Sequence, residues 1–226
     1  MSTRDRILDA AMEVFARFGF RRAAMDQVAR EAGLTRQAVY HHFKSKEALF
    51  RATVEALHEG AFEAEVEAGR ESEAAGRDLA DILAAQIDAR FRYIVECLKE
   101  TSQADELLSE RQIQTRDLNQ AFIENNIGLH VETIDRVSAA QGLRLRDGMT
   151  ALDLARSVHL AIRSFNDLRL DAGALDDLGR MVRLIVRGAV EPPAGRARTR
   201  AAAATRSRNG KKRGRRSPAR QSRSRK

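Results

Sequence analysis

Arg36, Gln37, Tyr40 and His41 stand within a few residues of one another, and Lys46 follows shortly after. Side chains of these types suit nucleic acid. Arginine can donate two parallel bonds to guanine and glutamine can bond in both directions with adenine, while a tyrosine hydroxyl or a lysine ammonium holds a phosphate without reading sequence. Such chemistry needs a rigid element to present the groups together. The spacing predicts one, a short helix that turns Ala38, Val39 and Phe43 inward and leaves Arg36, Gln37, Tyr40 and His41 on its outer side. Thr35 is its natural N-cap, since a hydroxyl there accepts an otherwise unpaired backbone N–H. Just upstream, Met25, Val28, Ala29 and Ala32 share one face of a preceding helix. Gly33 falls where a helix end needs a left-handed residue, Leu34 follows as an apolar plug, and the small Ala29 permits a close helix crossing. Helix, glycine turn and second helix with a polar outer face make a helix-turn-helix, whose second helix fits the DNA major groove. Pairs of short helices also occur in proteins with no nucleic-acid partner, so the flanks matter.

Thr3 to Phe18 is expected to form an amphipathic helix with Ile7, Ala11, Phe15 and Phe18 as its stripe, ended by Gly19, with Phe20 packing back. Ser45 looks like the cap of a further helix. The ordered run Ile7, Ala11, Phe15, Gly19-Phe20, Val28-Ala29, Ala32-Gly33-Leu34-Thr35, Val39-Tyr40-His41-His42-Phe43 and Lys46-Glu47-Ala48-Leu49 closely resembles the N-terminal domain of the tetracycline-repressor (TetR) family. The resemblance covers about the first fifty residues. It implies an all-helical homodimeric transcription factor, usually a repressor that binds a palindromic operator and is released by a small ligand. Carried over by position, Tyr40 and Lys46 would contact phosphates with His41 close by. Thr35, Arg36 and Gln37 would face the bases or their flanking phosphates. Tyr40 could instead be a buried ring with a satisfied hydroxyl. One departure is Ala23-Ala24, where the family usually places Thr or Ser; Arg21 and Arg22 are the nearest charges that could serve phosphate there.

The 226 residues carry a net charge of +8, and its distribution is uneven. Residues 192–226 hold fourteen Lys or Arg and no acid, so the other 191 residues have a net charge of −6. Within these, residues 1–50 are +3 and residues 51–191 are −9. This polarity turns the N-terminal end toward DNA and the body away. The tail lacks large apolar residues and is expected to be disordered, a polycationic arm for DNA, RNA or another anionic surface. Its segment from Lys212 to Pro218 loosely resembles a minor-groove hook but lacks the proline directly after the second arginine. The single cysteine, Cys97, excludes an intramolecular disulfide framework and is expected to be a buried structural thiol. The five histidines show no metal-ligand spacing, and no phosphate loop, nucleophile triad or paired-carboxylate motif stands out. We therefore expect no enzyme, no cofactor and no metal, and a cytoplasmic, nucleoid-associated protein without membrane segments.

Beyond residue 50 the pattern stays helical. One helix is expected from Ser45 toward Gly69, with residues 67–77 as a loop, then others over Asp78–Glu100, a short piece near 105–108, and Arg111–Ala140 with a bend or close approach at Gly128. Two final helices are expected over Thr150–Leu170 and Leu175–Val190, joined by a turn at 171–173. Three regions are therefore expected: a DNA-binding domain (1–50), a helical effector-binding and dimerisation domain (51–191) and the basic tail (192–226). The resemblance implies dimerisation through the last two helices. The stripes Leu154, Val158, Ala161, Ile162, Phe165 and Leu168, and Leu178, Met181, Val182, Ile185, Val186 and Ala189, with Gly179 and Gly188, suit that use or equally the protomer's own core. A ligand pocket would lie among the middle helices, with Phe91, Tyr93, Phe122, His130, His159 and Phe165 as candidates, each of which could equally be ordinary core or surface. The rival reading is an architectural nucleic-acid-coating protein acting through the tail.

Overall fold

The computed structural model describes residues 1–98, 115–146, 148–165 and 172–191, without the side chains of Ser164, Phe165 and Ala172. The short piece near 105–108, the turn residue Asp171, Leu168 and the tail lie outside the described residues. The first helix, α1 (Thr3–Arg22), opens with a reciprocal cap: the Asp5 N–H donates to Ser2 Oγ at 3.1 Å and the Ser2 N–H donates to Asp5 Oδ2 at 2.7 Å. Its helical run breaks at Gly19, where φ is 73°, and one more turn follows to Arg22. That break folds Phe20 back against Phe15 and Phe50, with ring centroids 4.9–6.1 Å apart. Two short helices come next, α2 (Met25–Glu31) and α3 (Arg36–His42). The first core gathers Ile7, Ala11, Phe15, Val28, Ala29, Val39, Leu49 and Phe50, all buried.

Helix α4 (Lys46–Ala74) starts at the Ser45 cap and runs 29 residues, about 43 Å at 1.5 Å per residue. It therefore passes straight through most of the stretch expected to be a loop. The chain leaves the helix only at Ala75, with Gly76 at φ 68°. Two causes extend it. The sequence after Gly69 is rich in Ala, Glu and Arg, all good helix formers. Gly69 itself is needed inside the helix, because the buried Gln86 amide lies where a side chain would be, 2.5 Å from an added Cβ.

Helix α5 (Leu79–Cys97) is capped by Asp78 and packs along α4. Helix α6 (Arg116–Gln141) ends at Gly142 in the left-handed region, as its position suggests. Among the described residues nothing lies within 4 Å of a Cβ added at Gly128, so none of them approaches it closely. Helix α7 (Ala151–Phe165) follows the Thr150–Asp153 cap, and α8 (Ala172–Ala189) begins at Ala172, inside the expected turn. A two-residue antiparallel ribbon, β1 (Arg144–Leu145) with β2 (Val190–Glu191), ties the end of α8 to the α6–α7 link. The second core joins α5, α6, α7 and α8 through Ile82, Leu83, Ile87, Ile134, Leu154, Val158, Leu178 and Val182. A small bridge of Leu57, Ala61 and Ile94, flanked by Met12 and the half-buried Cys97, connects the two cores.

Candidate nucleic-acid interface

The α2–α3 turn is closed by its own backbone. Gly33 takes φ 64°, its N–H donates to Arg30 O at 3.1 Å, and the Leu34 N–H donates to Ala29 O at 2.8 Å. An outside residue reinforces it: Arg6 on α1 donates Nη2–H to Ala32 O at 2.8 Å. The Thr35 hydroxyl accepts from the Ala38 N–H at 3.2 Å, which fixes the start of α3. Val39 is fully buried beneath the helix, so the opposite side has to face solvent. At the departure from the family pattern, Ala24 gives α2 no side-chain cap; the Gln27 carbonyl oxygen accepts from the Ala24 N–H at 2.8 Å instead.

Arg36, Gln37 and His41 are exposed on the outer face, and Tyr40 is half-buried against the first core. Arg36 donates Nη1–H to Asp26 Oδ2 at 3.2 Å, and its guanidinium carbon stands 5.3 Å from the Tyr40 ring centroid. The Tyr40 hydroxyl, and then Asp26, hold the Arg36 guanidinium above its usual pKa. Both members of the Arg36–Asp26 pair are more than half exposed, so solvent screens the pair and Arg36 exchanges readily to another acceptor. Asp26 was not anticipated as a partner; its place in the first turn of α2 carries no pattern that points to Arg36.

Lys46 is placed differently. Its Nζ donates to three carbonyls, Phe20 O at 2.9 Å, Ala23 O at 3.1 Å and Arg21 O at 3.2 Å, and sits 4.6 Å from the Phe20 ring centroid. An ammonium has three N–H donors. All three serve the end of α1 and lock it to the start of α4. In this geometry Lys46 positions the domain, and a phosphate would have to displace one of those carbonyls.

The profile of the family described as bacterial regulatory proteins, tetR family, matches residues 7–53. Residues 7–53 form a tetR-family domain. It is a DNA-binding helix-turn-helix domain of transcriptional regulation, and the fold around it is all-helical. Over 44 residues the chain is 59% identical to the HTH-type transcriptional regulator SrpR of Pseudomonas putida, a stretch that is 20% of this chain and 21% of that protein. Over 49 residues it is 45% identical to the A-factor receptor protein of Streptomyces griseus, covering 22% of this chain and 18% of that one. The matched stretches thus span about a fifth of these relatives. Structural likeness reaches further. Native NalD, the secondary repressor of the MexAB-OprM multidrug efflux pump in Pseudomonas aeruginosa, aligns over 84% of this chain and 98% of its own, with 27% identity and a TM-score of 0.52. SmeT of Stenotrophomonas maltophilia shares the fold at 24% identity and a TM-score of 0.60, over 84% of this chain and 92% of its own.

In the body behind the tetR-family domain, the pocket candidates separate. Phe91 is buried in the second core. Tyr93 is 37% exposed and turns to α4, its hydroxyl filling the space that a Cβ on Gly60 would need. Phe122 stacks on His58 with centroids 4.2 Å apart. His130 is buried with Nε2 2.8 Å from Glu65 Oε1. Burial, and then the charge of Arg90, hold the His159 pKa below that of a free imidazole. The Phe165 side chain lies outside the described part. The structure brings His130 and His159 together with two charged residues that sequence reasoning passed over, Glu65 and Arg90. A signal did exist. Glu65 continues the inward series Leu57, Ala61, and Arg90 sits one turn after Ile87 on α5, so both put charge on an apolar stripe. No group of residues suited to a metal ion occurs among the described residues. No helix among them is long and apolar enough to cross a membrane.

Proposed function

We propose that this chain is a transcriptional repressor that binds a two-fold-symmetric operator as a homodimer and is released when a small molecule enters its body. The observation that carries the reading is the outer face of α3. There Arg36, Gln37 and His41 are exposed on a helix fixed at its start by Thr35 and backed by Val39. Arg36 and Gln37 supply base contacts from the first turn, with Thr35, Tyr40 and His41 on the flanking phosphates. The likeness to NalD, a repressor, supports the direction of regulation.

One short helix reads too few bases for useful discrimination, so two half-sites related by a two-fold axis are required. The inward stripes of α7 and α8 are consumed by the protomer core: Leu154, Val158, Leu178, Val182 and Val186 are all buried. The dimer therefore uses their outward faces, where Leu160 is 64% and Leu184 is 74% exposed. Gly188 lies on the same face as Leu184, and among the described residues nothing within 4 Å would meet a Cβ there, which leaves room for a partner helix. Residues 1–50 bind DNA, 51–191 bind effector and dimerise, and the tail from 192 onward adds sequence-tolerant affinity for DNA in the cytoplasm. Helix α4 links the functions, because Lys46 at its start grips the end of α1 while Glu65, about 29 Å along it, lies among the body helices. A ligand that prefers a different placing of Glu65 shifts the population away from the DNA-competent arrangement.

Titration of the chain onto its selected duplex, followed by sedimentation, tests the reading. Two chains per duplex and a preference over random DNA of about 10³ or more are expected. A preference below tenfold, or a single chain per site, would overturn it.

A further inference from the structure

A polar seam runs between α4 and α6. On α4, His58, Phe62, Glu65 and Gly69 follow at spacings of three and four; on α6, Phe122, Asn126, His130 and Thr133 do likewise, so each set shares one face. At one end, His58 and Phe62 face Phe122 and Asn126 around a cavity of about 80 Å³. One turn along, Glu65 and His130 meet at 2.8 Å with their side chains 0% and 1% exposed. Arg90 enters from α5, with Nε 4.0 Å from Glu65 Oε2 and its side chain 11% exposed. His159 enters from α7 close enough to feel the charge of Arg90. Glu65 Oε2, His130 Nδ1 and both ring nitrogens of His159 have no hydrogen-bond partner among the described residues. Buried polar atoms are normally paired, because leaving them unpaired forfeits their hydration. Three such side chains, Glu65, His130 and His159, meet the guanidinium of Arg90 from four helices in all, one turn along the seam from a cavity that Asn126 helps to line, and they point to a ligand.

The balance of groups sets its chemistry. Arg90 offers five N–H donors to a carboxylate that is 4.0 Å away and already engaged by His130. Donors therefore exceed acceptors. A cationic ligand would have to pair with Glu65 beside a guanidinium that is itself buried, and the two like charges would repel. We propose that the Glu65–Arg90–His130–His159 cluster is the effector site, and that its ligand is a small organic acid whose carboxylate pairs with Arg90 and accepts a hydrogen bond from His159. The cavity between Phe62 and Phe122 takes the apolar remainder. Its volume is about half of the roughly 150 Å³ that accepts a benzene ring, so the remainder is a few carbons long. This assignment rests on the ligand-release reading above.

The binding measurements use the full chain without DNA, so they succeed or fail separately from operator recognition. Straight-chain carboxylates from propanoate to octanoate are titrated by calorimetry, with the matching primary amides and amines. The ¹⁵N signals of the histidine rings are followed in parallel. Butanoate or a near neighbour should bind and move the His130 and His159 signals, the amides and amines should bind at least tenfold more weakly, and Arg90→Gln should lose at least tenfold. Arg136→Gln, which cuts a surface pair with Glu73, should leave binding unchanged. Equal binding of acid and amide, unmoved His130 and His159 signals, full affinity in Arg90→Gln, or no binding by any of the acids would overturn the proposal. If Arg90→Gln does not fold, the acid–amide comparison on the unaltered chain decides. An acid that binds there without changing affinity for the selected duplex would refute the effector role.

Discussion

Replacing Lys46 by Met separates a positioning lysine from a phosphate-binding one. Three hydrogen bonds at 2.9–3.2 Å vanish, and the Phe20, Arg21 and Ala23 carbonyls lose their partner. Bonds to a charged donor are worth about 1.5–3 kcal/mol each when well buried. Those to Phe20 O and Ala23 O are part-buried and that to Arg21 O is exposed, and freeing the lysine returns up to about 2 kcal/mol of rotamer entropy, so a net loss of about 2 kcal/mol is expected. The charge sits unfavourably in the first turn of α4 but favourably at the last turn of α1, and these dipole terms roughly cancel. Urea unfolding should show the loss, which corresponds to roughly 5–10 °C in Tm. Affinity should fall on every DNA sequence alike, because the whole of α1 to α3 is loosened relative to α4. The salt dependence decides the mechanism. A lysine on phosphate contributes about 0.9 to the slope of log K against log salt, and a dimer would lose about 1.8. The positioning account predicts an unchanged slope. A slope reduced by that amount together with unchanged stability would refute it.

Gly33→Ala places a side chain at φ 64° and should cost about 1–2 kcal/mol, with the loss of DNA affinity exceeding the loss of stability because α3 is re-aimed. Leu160→Glu with Leu184→Glu should leave the far-UV circular dichroism and the urea midpoint intact at high protein concentration while shifting sedimentation from dimer to monomer; a persistent dimer would exclude the outward faces of α7 and α8. His159 is held below its free pKa, so the unfolded chain binds its proton more readily than the folded chain does. Stability from this source is intact above about pH 6.5 and is lost as pH falls below it, down to the folded value. Unfolding at pH 7.5 and 5.5 should therefore show a smaller drop for His159→Leu than for the unaltered chain.

The helix-turn-helix was legible because each of its features is local. Gly33, Thr35 and Ser45 announce helix ends through their own backbone chemistry, and Val28, Ala29 and Val39 repeat at helical spacing. What the sequence did not disclose depends on contacts far along the chain. Residues 67–77 looked like a loop because they are polar and contain glycine, yet Gly69 is a packing site for Gln86 and α4 continues to Ala74. For Lys46 the family resemblance implies a phosphate contact, whereas the carbonyls of residues 20, 21 and 23 that its ammonium meets are backbone atoms with no signature of their own. The stripes of α7 and α8 fit a core and an interface equally, and only burial separates Val182 from Leu184. On α6, Asn126, His130 and Thr133 are buried on the inward face; a polar residue on an inward face is a signal that periodicity averages away.

The central claim is that α3 reads base sequence through its first turn. The most direct test is selection of bound DNA from a random library at physiological salt, using the chain cut after Glu191 and the same chain carrying Gln37→Ala. The account predicts a two-fold-symmetric motif for the first and a motif relaxed at one position in each half-site for the second. Enrichment of no motif, or identical motifs from both proteins, would contradict it.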